Sequence, residues 1–153
     1  MDILVTTVFI VFLMVISAID IKTGMIFDKS LIPMALIAVI FDLGGLLVPI
    51  DSAVIGAFVA GFIFIIIFKI SRGGMGGGDV KFAFVLGLWL GADKIIAAIF
   101  LSSIFGAIAA IIIYAIKRDS KIKMPFAPAM SLGAATAFFI DENYIISVLN
   151  IFL

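Results

Sequence analysis

Long apolar stretches with few charges fill most of this 153-residue chain, and they limit its possible folds more than any other feature. A helix crosses the hydrocarbon core of a bilayer with about 20 apolar residues, within a range of roughly 17–25. Hydrophobic residues make up 65% of the chain, whereas soluble domains contain roughly 45–50%. Because backbone groups in lipid must be satisfied internally, the stretches predict an all-α, polytopic membrane protein.

Six of these stretches are predicted to be transmembrane helices packed in one bundle. They cover Ile3–Ile19, Ser30–Val48, Ala53–Ile70, Val80–Leu90, Lys94–Ile116 and Pro125–Ile140. The fourth is short for a complete crossing, so it is expected to tilt little or to include part of the preceding glycine-rich loop. No length remains for a separate soluble domain, so residues 1–153 are predicted to form a single membrane-embedded domain.

The basic residues indicate how the bundle is oriented. Nine of the ten lie on one predicted face, and Lys94 alone lies on the other. Basic residues concentrate on the cytoplasmic side of membrane proteins, so we expect a multi-pass protein of the cytoplasmic membrane with loops one, three and five in the cytoplasm. The nine are Lys22, Lys29, Lys69, Arg72, Lys81, Lys117, Arg118, Lys121 and Lys123.

The residue types that the chain lacks restrict its chemistry. It contains no histidine and no cysteine, and its only glutamate is Glu142. Catalysis by Ser-His or Cys-His pairs is therefore excluded, and so is zinc held by histidine or cysteine. The formal net charge is zero and there is no basic tail, which argues against nucleic acid as a partner. Ionisable catalysis is left to aspartate, lysine or tyrosine, and no metal or cofactor is expected.

Asp79 is the acid that the sequence marks most clearly, because it follows the glycine-rich run 73–78. A carboxylate at membrane depth is costly, so it is a candidate functional group. Glycines adopt backbone conformations closed to other residues and let another chain approach closely. We therefore expect Gly76 and Gly78 to admit a substrate backbone. The alternatives are a helix N-cap for Asp79 and a flexible linker for the glycines.

The predicted topology gives Asp79 a partner. Asp20 ends the first helix and Asp79 begins the fourth, so both lie at the same membrane depth. Two carboxylates that share a site do not both ionise readily, so one retains a proton. The ionised acid can activate water while the protonated acid polarises a peptide carbonyl. The pattern favours an aspartic protease, and the alternative is a solvated Asp20 that pairs with Lys22 or Lys29.

Three elements together resemble the type IV prepilin peptidases and the archaeal preflagellin peptidases, which are membrane aspartic proteases. Residues 76–81, Gly-Gly-Gly-Asp-Val-Lys, match their Gly-x-Gly-Asp-x-Lys pattern. Asp20, followed eight residues later by Asp28, is similar to their other acidic element. Residues 124–128, Met-Pro-Phe-Ala-Pro, followed by a Leu-Gly pair at 132–133, are similar to their Ile-Pro-Phe-Gly-Pro stretch.

The resemblance implies that Asp20 and Asp79 are the catalytic pair and that no cofactor is needed. It implies an endopeptidase that removes a short basic leader from pilin-like or flagellin-like precursors at the cytoplasmic membrane face. Lys81 is expected to orient the pair or to restrain its charge, and Asp28 is expected to support the site.

The chain departs from the family pattern at two positions, neither of which is catalytic. Phe27 stands where proline is frequent, and Ala127 stands where glycine is usual. Larger bacterial members also carry an N-terminal segment with paired cysteines and methylate the cleaved product. No such segment is present here, so methyltransferase activity is not expected.

Presenilin-type proteases suggest a rival pairing, since they combine Gly-x-Gly-Asp with a Tyr-Asp in a helix and a Pro-Ala-Leu. Phe41-Asp42 and Pro128-Ala129-Met130 are superficially similar to those elements. Asp42, however, is predicted to lie more than about 15 Å from the cytoplasmic end of its helix, which disfavours its pairing with Asp79. Other classes offer two further alternatives, a small transporter or channel subunit and a non-catalytic assembly factor.

Overall fold

The structure, a computed structural model, describes residues 2–71, 74–117 and 124–140. Within those ranges five helices form: α1 (Ile3–Thr23), α2 (Asp28–Leu43), α3 (Ile50–Ile70), α4 (Gly77–Lys117) and α5 (Ala127–Phe139). Helices α1, α3 and α4 are long and apolar enough to cross a membrane. Helices α2 and α5 are shorter, with 16 and 13 residues. The prediction of an all-α fold is confirmed for the part of the chain that the structure describes.

The described residues form five helical elements, one fewer than the predicted six. The predicted fourth and fifth helices, Val80–Leu90 and Lys94–Ile116, are two parts of the 41-residue α4. Only Gly91 interrupts them, with a non-helical backbone at φ 68° and ψ −179°. Glycine adopts a positive φ at little cost, so a single residue breaks the helix where a separate connection was expected.

The contacts of α4 indicate that its direction reverses at Gly91. A straight helix of 41 residues would be about 60 Å long, roughly twice the apolar thickness of a bilayer. Beyond Gly91, successive residues of α4 meet residues of α5 and its N-cap in descending order: Lys94 with Phe138, Ser102 with Met130, and Gly106 with Phe126. The second part of α4 is therefore antiparallel to α5 and returns towards the residues where α5 begins.

Glycines allow α3 and the first part of α4 to pack closely. A Cβ on Gly56 of α3, or on Gly87 of α4, would overlap backbone atoms of the other helix. Small residues of this kind let membrane helices approach one another. The contact fixes the first part of α4, which begins two residues before Asp79, against α3.

An aromatic cluster joins the other helices at the centre of the bundle. Phe9 of α1 and Trp89 of α4 are fully buried, and their ring centroids stack 4.9 Å apart. The ring of Phe138 in α5 lies 4.8 Å from that of Phe9. The indole Nε1 of Trp89 donates a hydrogen bond to the carbonyl of Met34 in α2 at 3.1 Å. These contacts hold α1, α2, α4 and α5 together.

One end of the bundle collects the end of α1 and the starts of α2, α4 and α5, and we call it the Asp20 end. Three contacts define it: Ala127 with Asp20, Lys81 with Asp28, and Gly78 with Ile26. Lys22 lies in the last turn of α1 at this end. Five of the basic residues that were assigned to the cytoplasmic face cannot be placed. Arg72, Arg118, Lys121 and Lys123 lie outside the described residues, as does the side chain of Lys117.

Candidate active site

Asp20 lies in the last turn of α1 and is 4% exposed. Its carbonyl accepts the N–H of Gly24 at 2.7 Å, and Gly24 ends the helix in the left-handed conformation at φ 64°. Its carboxylate Oδ2 accepts the backbone N–H of Ala127 at 3.0 Å. The side chain is therefore buried between α1 and α5, which contradicts the alternative of a solvated loop acid.

Asp79 lies in the first turn of α4 and is 8% exposed. Its Oδ2 accepts the N–H of Gly76 at 3.0 Å, and its own N–H donates to the carbonyl of Gly76 at 3.2 Å. Asp79 is the third residue of α4, and its carboxylate bonds back to the residue before the helix, as the acid of a capping box does, so Asp79 is not the N-cap of the alternative. The cap engages Oδ2 and leaves Oδ1 outside it.

The structure brings Asp20 and Asp79 together at the Asp20 end. Asp20 lies in the last turn of α1 and Asp79 in the first turn of α4, and both side chains are buried there. Gly78, the neighbour of Asp79, packs against Ile26 in the loop that follows α1. The acids are 59 residues apart in the sequence, and their meeting agrees with the predicted topology.

The backbone of the glycine run differs from what the sequence analysis expected. Among the described residues, glycines with positive φ are found at Gly24, Gly45 and Gly91. Gly76 and Gly78 are not among them, so their backbones adopt conformations that other residues also adopt. Conformational freedom is therefore not what distinguishes these two glycines in the folded protein.

The space around the run explains the need for small residues instead. A Cβ at Gly78 would lie 2.9 Å from the Cβ of Ile26 and 3.2 Å from its carbonyl oxygen. A Cβ at Gly76 would lie 3.3 Å from Oδ2 of Asp79, whereas one at Gly77 would meet nothing within 4 Å. The chain's own loop thus fills the space beside Gly78 that was expected to receive a substrate, and Gly77 faces open space.

Asp28 and Lys81 contact each other. The Nζ of Lys81 lies 2.8 Å from both carboxylate oxygens of Asp28, at the start of α2. Both side chains are more than half exposed, so the pair contributes at most about 1 kcal/mol to stability. Lys81 lies two residues beyond Asp79, so the ion pair ties the start of α2 to the turn that holds that acid.

Asp42 lies away from the Asp20 end. It is in the last turn of α2, 14 residues beyond Asp28, or about 20 Å along the helix. It is 5% exposed, and its Oδ1 accepts the N–H of Val48 at 3.2 Å. The structure therefore does not bring Asp42 and Asp79 together, which counts against the presenilin-like pairing.

Sequence reasoning missed the contacts of α5 with the site. The backbone N–H of Ala127 bonds to Asp20, and the hydroxyl of Ser17, three residues before Asp20, donates to that of Ser131 at 2.8 Å. A backbone donor has no signature of its own in a sequence. Pro128, at the start of α5, was the available signal, because proline favours the first helical turn, where N–H groups lack partners within the helix.

Two buried carboxylates at one site can perform general acid and general base catalysis together. One acid takes a proton from water while the other donates a hydrogen bond to the group under attack. This chemistry needs no further ionisable group, and no group of three or more potential metal-ligating residues occurs among those described.

Relatives of known name align with most of this chain. It is 34% identical over 138 residues to a prepilin leader peptidase/N-methyltransferase of Neisseria gonorrhoeae, covering 86% of this chain and 47% of that protein. It is 32% identical over 142 residues to the protein of the same name from Burkholderia pseudomallei (strain 1026b), covering 88% and 46%. For the Bacillus subtilis (strain 168) protein the identity is 36% over 105 residues, covering 65% and 42%.

The chain thus spans about half the length of the curated relatives it matches. No solved structure matches it. The model of the type IV leader peptidase family matches residues 7–111, which include most of α1, all of α2 and α3, and most of α4. This match covers more than half of the chain and contains both Asp20 and Asp79. The chain therefore belongs to the type IV leader peptidase family.

Proposed function

We propose that this protein is a membrane aspartic endopeptidase that removes a leader peptide from prepilin-like or preflagellin-like precursors. The observation that carries the proposal is the burial of Asp20 and Asp79 together where α1 ends and α4 begins. The family match and the names of the relatives support the same activity. The methyltransferase activity in those names is not part of the proposal.

In the proposed reaction, Asp20 and Asp79 share one proton. The ionised carboxylate takes a proton from a water molecule, whose oxygen attacks the carbonyl carbon of the scissile bond. The protonated carboxyl donates a hydrogen bond to the carbonyl oxygen as the tetrahedral intermediate forms. Transfer of a proton to the leaving nitrogen then breaks the C–N bond and releases the leader.

The proposed orientation places the Asp20 end at the cytoplasmic face. Lys22, Lys29, Lys69 and Lys81 lie in the terminal turns of helices there, which fits the preference of basic residues for that side. Lys94, on the opposite predicted face, lies just beyond the reversal at Gly91. Leader cleavage would then take place on the cytoplasmic side, with the precursor's apolar segment in the bilayer.

An apolar groove beside the acids supports this placement of the precursor. It has a volume of about 440 Å³ and lies between α2, α3 and α4. It starts at Val80, directly after Asp79, and the Asp28–Lys81 ion pair stands at its edge. Its lining includes Leu31, Ile32, Ala35, Gly61, Ile65 and Val80. We propose that apolar side chains of the precursor occupy this groove.

Filling the groove should weaken substrate binding. Ala35→Trp places an indole in it, so we expect KM to rise about five- to tenfold with little change in kcat, because packing drives helix association in lipid. The control is Leu36→Trp on the next residue of the same helix, which does not line the groove and is 59% exposed. Equal KM values for the two variants would show that the precursor does not bind in the groove.

Co-expression with a candidate precursor tests the activity itself. We expect a shorter product on a gel, with a new N-terminus directly before the precursor's apolar segment. Cleavage in detergent or liposomes should persist with EDTA and with thiol reagents, since the proposed chemistry uses neither metal nor cysteine. Loss of cleavage in EDTA that a divalent ion restores would point to carboxylates that hold a metal. No cleavage of any pilin-like or flagellin-like precursor would favour the non-catalytic assembly factor.

A further inference from the structure

The bond between Ala127 and Asp20 joins residues that are 107 positions apart. Both are buried, with Ala127 at 0% and Asp20 at 4% exposure. The donor is the first N–H of α5, which has no partner within its own helix. The acceptor is Oδ2 of Asp20 at 3.0 Å. A buried bond of this kind between a backbone N–H and a carboxylate oxygen fixes the rotation of the carboxylate.

The position of that N–H is itself fixed by contacts further along α5. Ser131 accepts a bond from Ser17 of α1 at 2.8 Å and donates to the carbonyl of Leu13 at 3.4 Å. Gly133 packs so tightly against Ser102 of α4 that a Cβ there would overlap it. Helix α5 is thus held by α1 on one side and by the second part of α4 on another.

We propose that the backbone N–H of Ala127 is a positioning group that aims the carboxylate of Asp20 at the reacting water. Helix α5 then belongs to the catalytic apparatus although none of its side chains reacts. The inference rests on the proposed function, since it assigns a partner to one of the two proposed catalytic acids.

An amide-to-ester substitution removes this N–H and keeps the side chain. Lactic acid in place of Ala127, introduced into the full chain by suppression of a stop codon, replaces the N–H with an oxygen. We expect kcat to fall about ten- to hundredfold with KM within about twofold of wild type, since a bond to a charged group is lost.

The matched control carries the same ester at Ala129, in the same turn of α5. An ester also weakens the preceding carbonyl as a hydrogen-bond acceptor. For the ester at 127 this is the carbonyl of Phe126, which accepts the N–H of Met130 at 3.1 Å. The ester at 129 weakens a carbonyl in the same way, so it controls for this effect. The proposal requires a lower kcat for the ester at 127 than for the ester at 129, at equal thermal stability. Equal kcat values for the two esters, or an equal loss of stability and kcat in both, would overturn it.

Asp20→Asn separates this inference from the proposed function. If Asp20→Asn is inactive and the ester at 127 retains full kcat, the acid is essential but Ala127 does not position it. If Asp20→Asn cleaves the precursor normally, the proposed function of the pair is wrong, and the role of Ala127 is wrong with it.

Discussion

Replacing either Asp20 or Asp79 with asparagine is expected to abolish leader cleavage. Each substitution keeps the size of the side chain and removes the carboxyl group that must exchange a proton. General acid–base catalysis contributes typically 10²–10⁴-fold, and each half of the pair depends on the other, so we expect kcat to fall by about 10³-fold or more. The measurement is the initial rate of precursor cleavage at equal amounts of membrane-inserted enzyme.

Two other aspartates provide matched controls for this loss. Asp42 is 5% exposed, so Asp42→Asn alters a buried acid far from the Asp20 end. Asp28→Asn breaks the exposed ion pair with Lys81. Both variants should retain substantial activity. An inactive Asp42→Asn beside a normal Asp20→Asn would establish the presenilin-like pairing and refute the pairing of Asp20 with Asp79.

Gly78→Val should reduce cleavage about ten- to hundredfold while the amount of protein in the membrane stays the same. The added side chain would overlap Ile26, whose Cβ is 2.9 Å from the position of the new Cβ. The start of α4 must then shift away from the loop after α1, and Asp79 moves with it. A displacement of about 1 Å in catalytic geometry can cost roughly 10²-fold in rate. The assay is kcat on the same precursor, together with immunoblotting of membranes.

Gly77→Val is the control, because a Cβ at Gly77 meets nothing within 4 Å. It adds the same β-branched residue to the same run, one position earlier, and we expect nearly normal cleavage. A flexible linker would tolerate valine equally at both positions. Equal activity of the Gly77 and Gly78 variants would therefore mean that contact with Ile26 does not hold Asp79 in place.

The sequence was sufficient to predict that Asp20 and Asp79 lie at the same end of the bundle. Asp20 and Asp79 each lie at the border of an apolar stretch, and helices that cross the same layer bring such borders to a common depth. The same argument correctly predicted that Asp42 lies far from Asp79, because Asp42 is near the end of α2 and each helical residue adds about 1.5 Å of length. Both predictions depend on helical rise and span length, which are local properties of the chain.

What could not be predicted depends on contacts between distant segments. The sequence predicted a connection between two helices around Gly91. In the folded backbone Gly91 alone interrupts the helix, and no loop separates the two parts. Gly78 was expected to leave room for a substrate, yet Ile26 fills that room. The N–H of Ala127 reaches Asp20 across 107 residues. Hydrophobic periodicity does not identify any of these three features.

The long separation between Asp20 and Ala127 also bears on how the protein is made. Chains are synthesised from the N-terminus, at roughly 5–20 residues per second, so α1 and its acid emerge well before α5. Until α5 is released and docks, Asp20 lacks the N–H that it binds in the finished fold. If that N–H aims the acid as proposed, a nascent chain with four helices holds both acids but not the arrangement that makes them reactive. Proteolytic activity would then begin only after the last described helix has been added.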